Sequence, residues 1–450
     1  MVREVQRSFY SDCRGEGRGP IPVPAIDGTL LEELPLWRVQ WSELPGRQTV
    51  LNVHVPHYTH MFQRVLAAAA SSSADANGGG ARGPFFGHLY LPGGSASLDD
   101  ARYRLGAADI ATDAARYGTL MRVTGHTQLS DGRLAIVAQA LGTIRVDDVS
   151  THAPYSVASR AALVPDAELA RCHLDGAVRL VSARVDGGGR GEEGRRLAWG
   201  AARAAAAAEA VHWEGFEFRP VRVEECLGGA GGGAAQEVSP LANYDAGGVP
   251  GDPFDAVAAM EAHLDAVMAE EDVEGSSSSA AGAAFSEPPS PVDHGDEVDR
   301  ILTLERDVWT GVDLMIRLLR DLSPDPGGPI PVPTQLLGML PVGVEWPESF
   351  ALEDYVEGLA AEDGALVGTA SRSPFVWASR VAPEYPALRR AQRLSFAIWV
   401  LLDSSLAGYG PASGTVQSVL ELDSIYDRLK AAERGLLVVN QALKNTFNGA

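Results

Sequence analysis

YGTLMRVTGHTQLSDGRLAIVAQALGTIRVDDVSTHAPY, residues 117–155, is the stretch whose reading decides the fold. Two runs rich in β-branched and apolar residues flank Ser130-Asp131-Gly132-Arg133. Asp-Gly between such runs signals a hairpin, because both central residues of a type I′ turn need positive φ. The arm from Leu134 to Leu141 is almost wholly apolar. Both of its faces should therefore be buried, as in a small closed barrel rather than an open sheet. Gly118, Gly125 and Gly142 interrupt the strands where a barrel needs bulges or corners.

Upstream, LPLWRVQWSELPGRQTVLNVHVPHYTHMFQRVL (residues 34–66) reads as a strand from Leu34 to Gln40, a Leu-Pro-Gly turn at Leu44 to Gly46, and a second strand from Thr49 to Val55. A helix opens near Tyr58, and Phe85 to Leu91 gives a third strand. The order resembles the N-terminal domain of the Lon protease family. The resemblance rests on the Leu34-Pro35-Leu36 strand, the Pro45-Gly46 turn, the Pro56-His57-Tyr58 helix start and the Phe86-Gly87 strand. Gly118-Thr119, Asp131-Gly132-Arg133, and Gly142-Thr143-Ile144-Arg145-Val146 leading to Pro154-Tyr155 complete it. It implies a small mixed β-barrel of the PUA-like type over 31–226, followed by an α-helical bundle: an α+β chain.

After the barrel, Ala198 to Val211 suits a helix, and Phe216 to Val223 alternates like a returning strand. Ala67 to Pro84 reads as a flexible insertion, and residues 1–30 as an irregular lead-in. Gly-Pro-Ile-Pro-Val-Pro occurs twice, at Gly19 to Pro24 and Gly328 to Pro333, as rigid extended spacers or a shared docking motif. Residues 227–295 form a low-complexity acidic linker. Within it, Phe254, Val257, Met260, Leu264 and Val267 mark an amphipathic helix over 253–272 that docks either on the chain's own core or on a partner.

Residues 296–450 change to helical period. Val298, Ile301, Val308, Val312, Met315, Leu319 and Leu322 make one stripe. Shorter or later helices are expected at Thr334 to Leu340, Ala387 to Leu406 and Thr415 to Phe447. Leu394-Ser395-Phe396-Ala397 and Asp427-Arg428-Leu429 resemble the helical part of Lon N-terminal regions.

The formal net charge is -22, with 45% hydrophobic and 21% charged residues. Such a balance argues against nucleic acid or an anionic membrane as partner. Cys13, Cys172 and Cys226 are too far apart for a disulfide framework or a CxxC zinc site, so a reducing, intracellular setting is expected. That setting is read as cytoplasmic, with a plastid or mitochondrial address left open, because the first residues lack an apolar core for a secretory signal. No apolar run is long enough to span a membrane.

A complete Lon protease carries an ATPase and a serine–lysine protease. Here Lys430 and Lys444 are the only lysines and neither follows a glycine, so no phosphate-binding GxxxxGK[ST] exists. Gly410-Pro411-Ala412-Ser413-Gly414 places its serine one position late for a nucleophile turn and reads as a helix entry. His54, His57 and His60 run through a strand end and a helix start, where convergence on a metal is not expected. No catalytic, cofactor-binding or metal-binding residue is assigned.

The resemblance implies a stand-alone, non-catalytic module that recognises peptides or unfolded, degron-bearing proteins, linked to a protease or ubiquitin-ligase component. A groove beside the barrel could take an extended peptide, with Trp37, Tyr58, Phe62 and the loop before Gly118 as candidate contacts. Leu34, Pro35, Leu36, Pro45, Gly46, Phe86, Gly87, Gly118, Gly132 and Gly142 are read as fold-making. A substrate receptor of the cereblon type is the alternative, without that family's zinc-held domain. A PUA-linked nucleic-acid-modifying enzyme would need Arg102, Arg104, Arg116, Arg122 and Arg133 to form one basic face.

Overall fold

In the computed structural model, described residues are 25–27, 30–72, 84–106, 112–130, 132–150, 154–184, 191–216, 260–261, 263–264, 294–322, 334–337, 339–341, 343–356, 386–406 and 413–449. The chain divides into two compact units, Met1–Pro289 and Ser290–Ala450.

In the first unit, nine strands among the described residues make one sheet: β1 (Ala25–Asp27), β2 (Leu30–Glu32), β3 (Leu34–Val39), β4 (Gln48–Val53), β5 (Phe85–Tyr90), β6 (Tyr117–Gln128), β7 (Leu134–Asp148), β8 (Val157–Ala158) and β9 (Arg160–Leu163). Leu30 and Leu31 pair with Ala162 and Ala161, and Leu34 and Pro35 with Ala158 and Val157. The register runs unbroken through the kink at Glu33 (φ 52°), so β2–β3 is one bent strand paired along β8–β9. β3 also pairs parallel to β5, β5 pairs antiparallel to β6, β6 to β7, and β7 to β9. This ring of pairings closes the sheet into a mixed barrel, as the apolar arm Leu134 to Leu141 requires: all eight of those residues are buried.

Strand residues alternate between two apolar clusters. One gathers Leu34, Leu36, Phe85, Leu89, Leu120, Ile144 and Leu163 under Ala204, Ala207, Ala208 and Val211. The other gathers Trp37, Val39, Leu51, Val53, Phe86 and Ile136 under Tyr58, Met61 and Phe62. Two helices thus cover the barrel: α1 (Pro56–Ser72) with its aromatics, and α3 (Glu192–Phe216) with small alanines that let it approach closely. β6 and β7 shift register at Leu120/Met121 and Val123/Gly125, beside the partner Gly142 and at Gly125.

The structure differs from the sequence reading at several points. At the hairpin tip Gly132 N–H donates to the Leu129 carbonyl (3.0 Å) and Leu129 N–H to the Arg133 carbonyl (2.8 Å). Gly132 (φ 93°) therefore ends the turn and does not sit at its centre, as three-residue hairpin loops with a left-handed glycine do. α1 runs on through Ala67–Ala70 to Ser72, because alanine propagates a helix without side-chain entropy loss. A helix the sequence reading did not name, α2 (Ala167–Arg184), packs on α3, and His173 Nε2 lies 2.5 Å from Glu209 Oε2 across the pair. Phe216 ends α3, and the rest of the expected strand to Val223 lies outside the described residues, as do both Gly-Pro-Ile-Pro-Val-Pro repeats.

Of the amphipathic helix expected over 253–272, Met260, Glu261, His263 and Leu264 are described, and all four are helical. They dock on this unit. A Cβ on Gly200 would fall 2.3 Å from His263 Nε2, Met260 Cε faces Gly176, and Arg184 lies 3.7 Å from Glu261.

The second unit contains α4 (His294–Leu322), α5 (Thr334–Leu337), α6 (Ala387–Leu406), α7 (Ser413–Leu420) and α8 (Ile425–Gly449) among the described residues. The expected helix Thr415 to Phe447 is two helices, because Ser424 Oγ caps a new start by accepting from Asp427 N–H (3.2 Å). α4 and α6 are joined by Glu305 and Arg390, paired through both carboxylate oxygens at 2.9 and 3.0 Å. Asp313 accepts the amides of Ala351 and Leu352 (3.0 and 2.9 Å), and Asn440 donates to the Gly311 carbonyl (3.0 Å). The runs Leu394 to Ala397 of α6 and Asp427 to Leu429 of α8 meet: buried Arg428 donates to Ser395 Oγ (2.9 Å), and its guanidinium lies over Phe396, 4.1 Å from the ring centre.

Candidate peptide-binding face of the barrel

The three nominated aromatics come together in one cluster. β3 turns Trp37 toward α1, and the parallel pairing sets His88 of β5 opposite it. Around the Trp37 ring stand Trp41 at 5.5 Å, Tyr58 at 6.2 Å, Phe62 at 5.7 Å, Phe86 at 6.1 Å and His88 at 5.4 Å, mostly edge to face. Trp37, Tyr58 and Phe62 are buried, and Trp41 is the member that reaches solvent, 37% exposed.

Tyr58 ties α1 to β3: its hydroxyl donates to the Arg38 carbonyl and accepts from the Arg38 amide. Burial pushes its hydroxyl pKa up to about 12, against the opposing effect of Arg38. His88 is enclosed, and neither ring nitrogen hydrogen-bonds another residue among those described. Burial lowers its pKa to about 3, so the ring is neutral and behaves as an aromatic wall.

The loop after β3 holds Trp41 in place. Its indole N–H donates to Glu43 Oε1 (3.1 Å), Arg47 lies 3.4 Å from Glu43 Oε2, and Thr119 Oγ donates to the Glu43 carbonyl (2.6 Å). Burial raises the Glu43 carboxyl pKa, while Arg47 and the Trp41 hydrogen bond pull it down. Trp41, Glu43 and His88 were not singled out from the sequence. Trp37 and Trp41 are an even number of residues apart, the spacing that puts strand neighbours on one face, and that signal could have found Trp41.

This loop leads into β4, which pairs with β7 along one edge alone among the described residues. Ala140 N–H donates to the Arg47 carbonyl (2.8 Å), continuing the ladder beyond β4. Antiparallel alternation from that pair turns the amides of Val50 and Asn52 to the outer edge. Leu51 and Val53 are buried while Val50 and Asn52 are exposed. Among the described residues the outer edge of β4 thus offers the backbone of Val50 and the Asn52 amide, while the Asn52 carbonyl oxygen faces His54 Nδ1.

The other candidates separate. His54 is exposed, with Nδ1 3.3 Å from the Asn52 carbonyl oxygen. His57 packs on Tyr58 and His60 near Tyr155, and among the described residues no histidine, cysteine and carboxylate group could hold a metal. Arg102 pairs with Asp100, Arg116 donates to the carbonyls of Gly106, Val146 and Asp147, and Arg122 donates to Gln139. These arginines are engaged locally. No helix among the described residues is long and apolar enough to cross a membrane.

No protein-family model matches the chain, and no curated protein matches it. Among solved structures, it is similar to a Lon N-terminal domain protein from Xanthomonas campestris, at 18% identity and a TM-score of 0.20, over 53% of this chain and 97% of that one. It is also similar to the N-terminal domain of a Mycobacterium avium complex Lon protease, at 13% identity and a TM-score of 0.19, over 42% of this chain and 85% of that one. Likeness this slight says nothing of what the chain binds.

Proposed function

We propose that the first unit is a non-catalytic recognition module of the Lon N-terminal, PUA-like type that binds extended segments of client polypeptides for a protease or ubiquitin-ligase system. The observation that carries the reading is the outer edge of β4, without a strand partner among the described residues, where Val50 and the Asn52 amide present backbone groups as a template for one more strand. Trp41, exposed on an aromatic base at the start of the loop that leads into β4, supplies an apolar contact in this reading. Trp37, Tyr58 and Phe62 then act beneath the peptide, holding Trp41 and the β3–β4 loop in position.

The test is binding of a fluorescein-labelled, reduced and alkylated protein that cannot fold, followed by anisotropy. Val50→Pro removes an outward amide while leaving the β7 ladder whole, which an edge strand tolerates. Binding should fall about tenfold in Val50→Pro, a loss of about 1.4 kcal/mol, and be retained in Val50→Thr. Unchanged binding in Val50→Pro would rule out the β4 edge.

A further inference from the structure

The C-terminal helix α8 buries Ile425, Leu429, Ala432, Leu436 and Val439 inside the second unit. Its opposite face is not the polar face such a helix ordinarily shows to water. On that face Leu437 and Val438 are each 64% exposed and Tyr426 is 39% exposed. Helical spacing sets Tyr426, Lys430, Leu437 and Lys444 along one line, with Arg434 and Val438 beside it. Lys430 is answered within the helix by Glu433 at 2.5 Å. From Arg434 to Asn448 the helix carries Arg434 and Lys444 and no acidic residue, and neither cation is ion-paired among the described residues. Neither cation lies in the last turn, so the helix dipole does not account for them. Nor does it account for Leu437 and Val438, two large apolar side chains exposed to water between those cations.

We propose that this face of α8 docks an acidic amphipathic helix of a partner protein. The partner's apolar stripe lies over Tyr426, Leu437 and Val438, and its carboxylates meet Arg434 and Lys444. Charge decides among the occupants an apolar helix face can take. A second copy of α8 would add Lys430, Arg434 and Lys444 to the same face, and its acid there, Glu433, is already paired with Lys430. An anionic membrane would have to approach a chain of formal net charge -22. An acidic helix satisfies both the stripe and the cations. The inference is independent of the peptide-binding reading of the first unit.

The experiment uses the full chain and two fluorescein-labelled synthetic helices with the same leucine stripe, one flanked by glutamates and one by lysines. The glutamate peptide should bind about tenfold more tightly or better, and lose affinity as salt is raised. Leu437→Ser with Val438→Ser should weaken it about tenfold, while Arg434→Glu with Lys444→Glu should reverse the preference toward the lysine peptide. All four residues are exposed, so circular dichroism and thermal midpoint should match the parent chain. Equal binding of the two peptides, or affinities untouched by either double variant, overturns the proposal. Self-association abolished by Leu437→Ser with Val438→Ser would assign the face to a second copy, and co-sedimentation with anionic vesicles to a membrane. Either result overturns it as well.

Discussion

The hydroxyl of Tyr58 on α1 forms a two-way bridge with the backbone of Arg38 on β3, donating to its carbonyl at 2.7 Å and accepting from its amide at 3.1 Å. β3 pairs with β5 in parallel and with β8 over Leu34 and Pro35, so the middle of its Trp37–Val39 segment depends on a side chain for part of its hydrogen bonding. Tyr58→Phe keeps the ring in the aromatic cluster and leaves two buried backbone groups unanswered. The expected loss is about 2 kcal/mol of stability, read as a lower urea midpoint with an unchanged slope.

Gly118 marks the closest approach of two strands. A Cβ there would lie 2.3 Å from the His88 carbonyl oxygen, a backbone atom that cannot rotate away. Gly142 faces only ordinary contacts, Leu163 and Val211 at 3.7 Å. Gly118→Ala should therefore destabilise the first unit by about 1–3 kcal/mol, and Gly142→Ala by clearly less. Equal midpoints for the two variants in urea would contradict this account of the β5–β6 pairing.

His88 makes the barrel sensitive to acid. Its folded pKa, about 3, lies below the ordinary value of 6.5, so in the interval between them the unfolded chain holds a proton that the native ring refuses. Stability contributed by the neutral ring is complete above the ordinary value and is lost as pH falls toward 3, at about 1.4 kcal/mol per unit from this residue. Burial lowers His57, His60 and His126 in the same direction. His88→Phe should flatten the fall in unfolding free energy between neutral pH and about 4. A profile as steep as the parent's would mean that other groups set the acid limit.

Glu305 and Arg390 test the second unit. Burial raises the Glu305 carboxyl pKa, and Arg390 opposes that rise through paired hydrogen bonds. Arg390→Ala strands the carboxylate and should cost about 3–5 kcal/mol at neutral pH. Part of the loss should be recovered on mild acidification, when the stranded group takes a proton. Arg390→Ala with Glu305→Leu should restore much of the stability, measured by thermal unfolding at two pH values.

Local elements were readable wherever residue pattern and chain geometry agree. The apolar arm Leu134 to Leu141 required burial on both faces, and the ring of strand pairings supplies it. The helix expected from about Ala387 to Leu406 is present as Ala387–Leu406. Reading failed where local signals compete. Asp131-Gly132 fits two hairpin loops, and only the hydrogen bond from Gly132 to Leu129 selects one. Ser424 stands in a helical stripe, yet its hydroxyl starts a new helix. The candidate site was half legible: the sequence named Trp37, Tyr58 and Phe62 as a group but not the residue that carries the cluster to the surface.

By itself, the order of residues determined the strands β3 to β7 and the helices α1, α3, α4 and α6 in outline, but not α2, and that no phosphate-binding lysine loop is present. Those properties follow from side-chain period and local backbone preference, which act within a few residues. Tertiary structure alone decided that β2–β3 and β8–β9 close the barrel, that β4 keeps one edge without a strand partner among the described residues, and that Trp41 reaches water while Trp37 does not. Such outcomes depend on contacts between residues far apart in the chain, where many pairings satisfy the same pattern and only the packed whole distinguishes them.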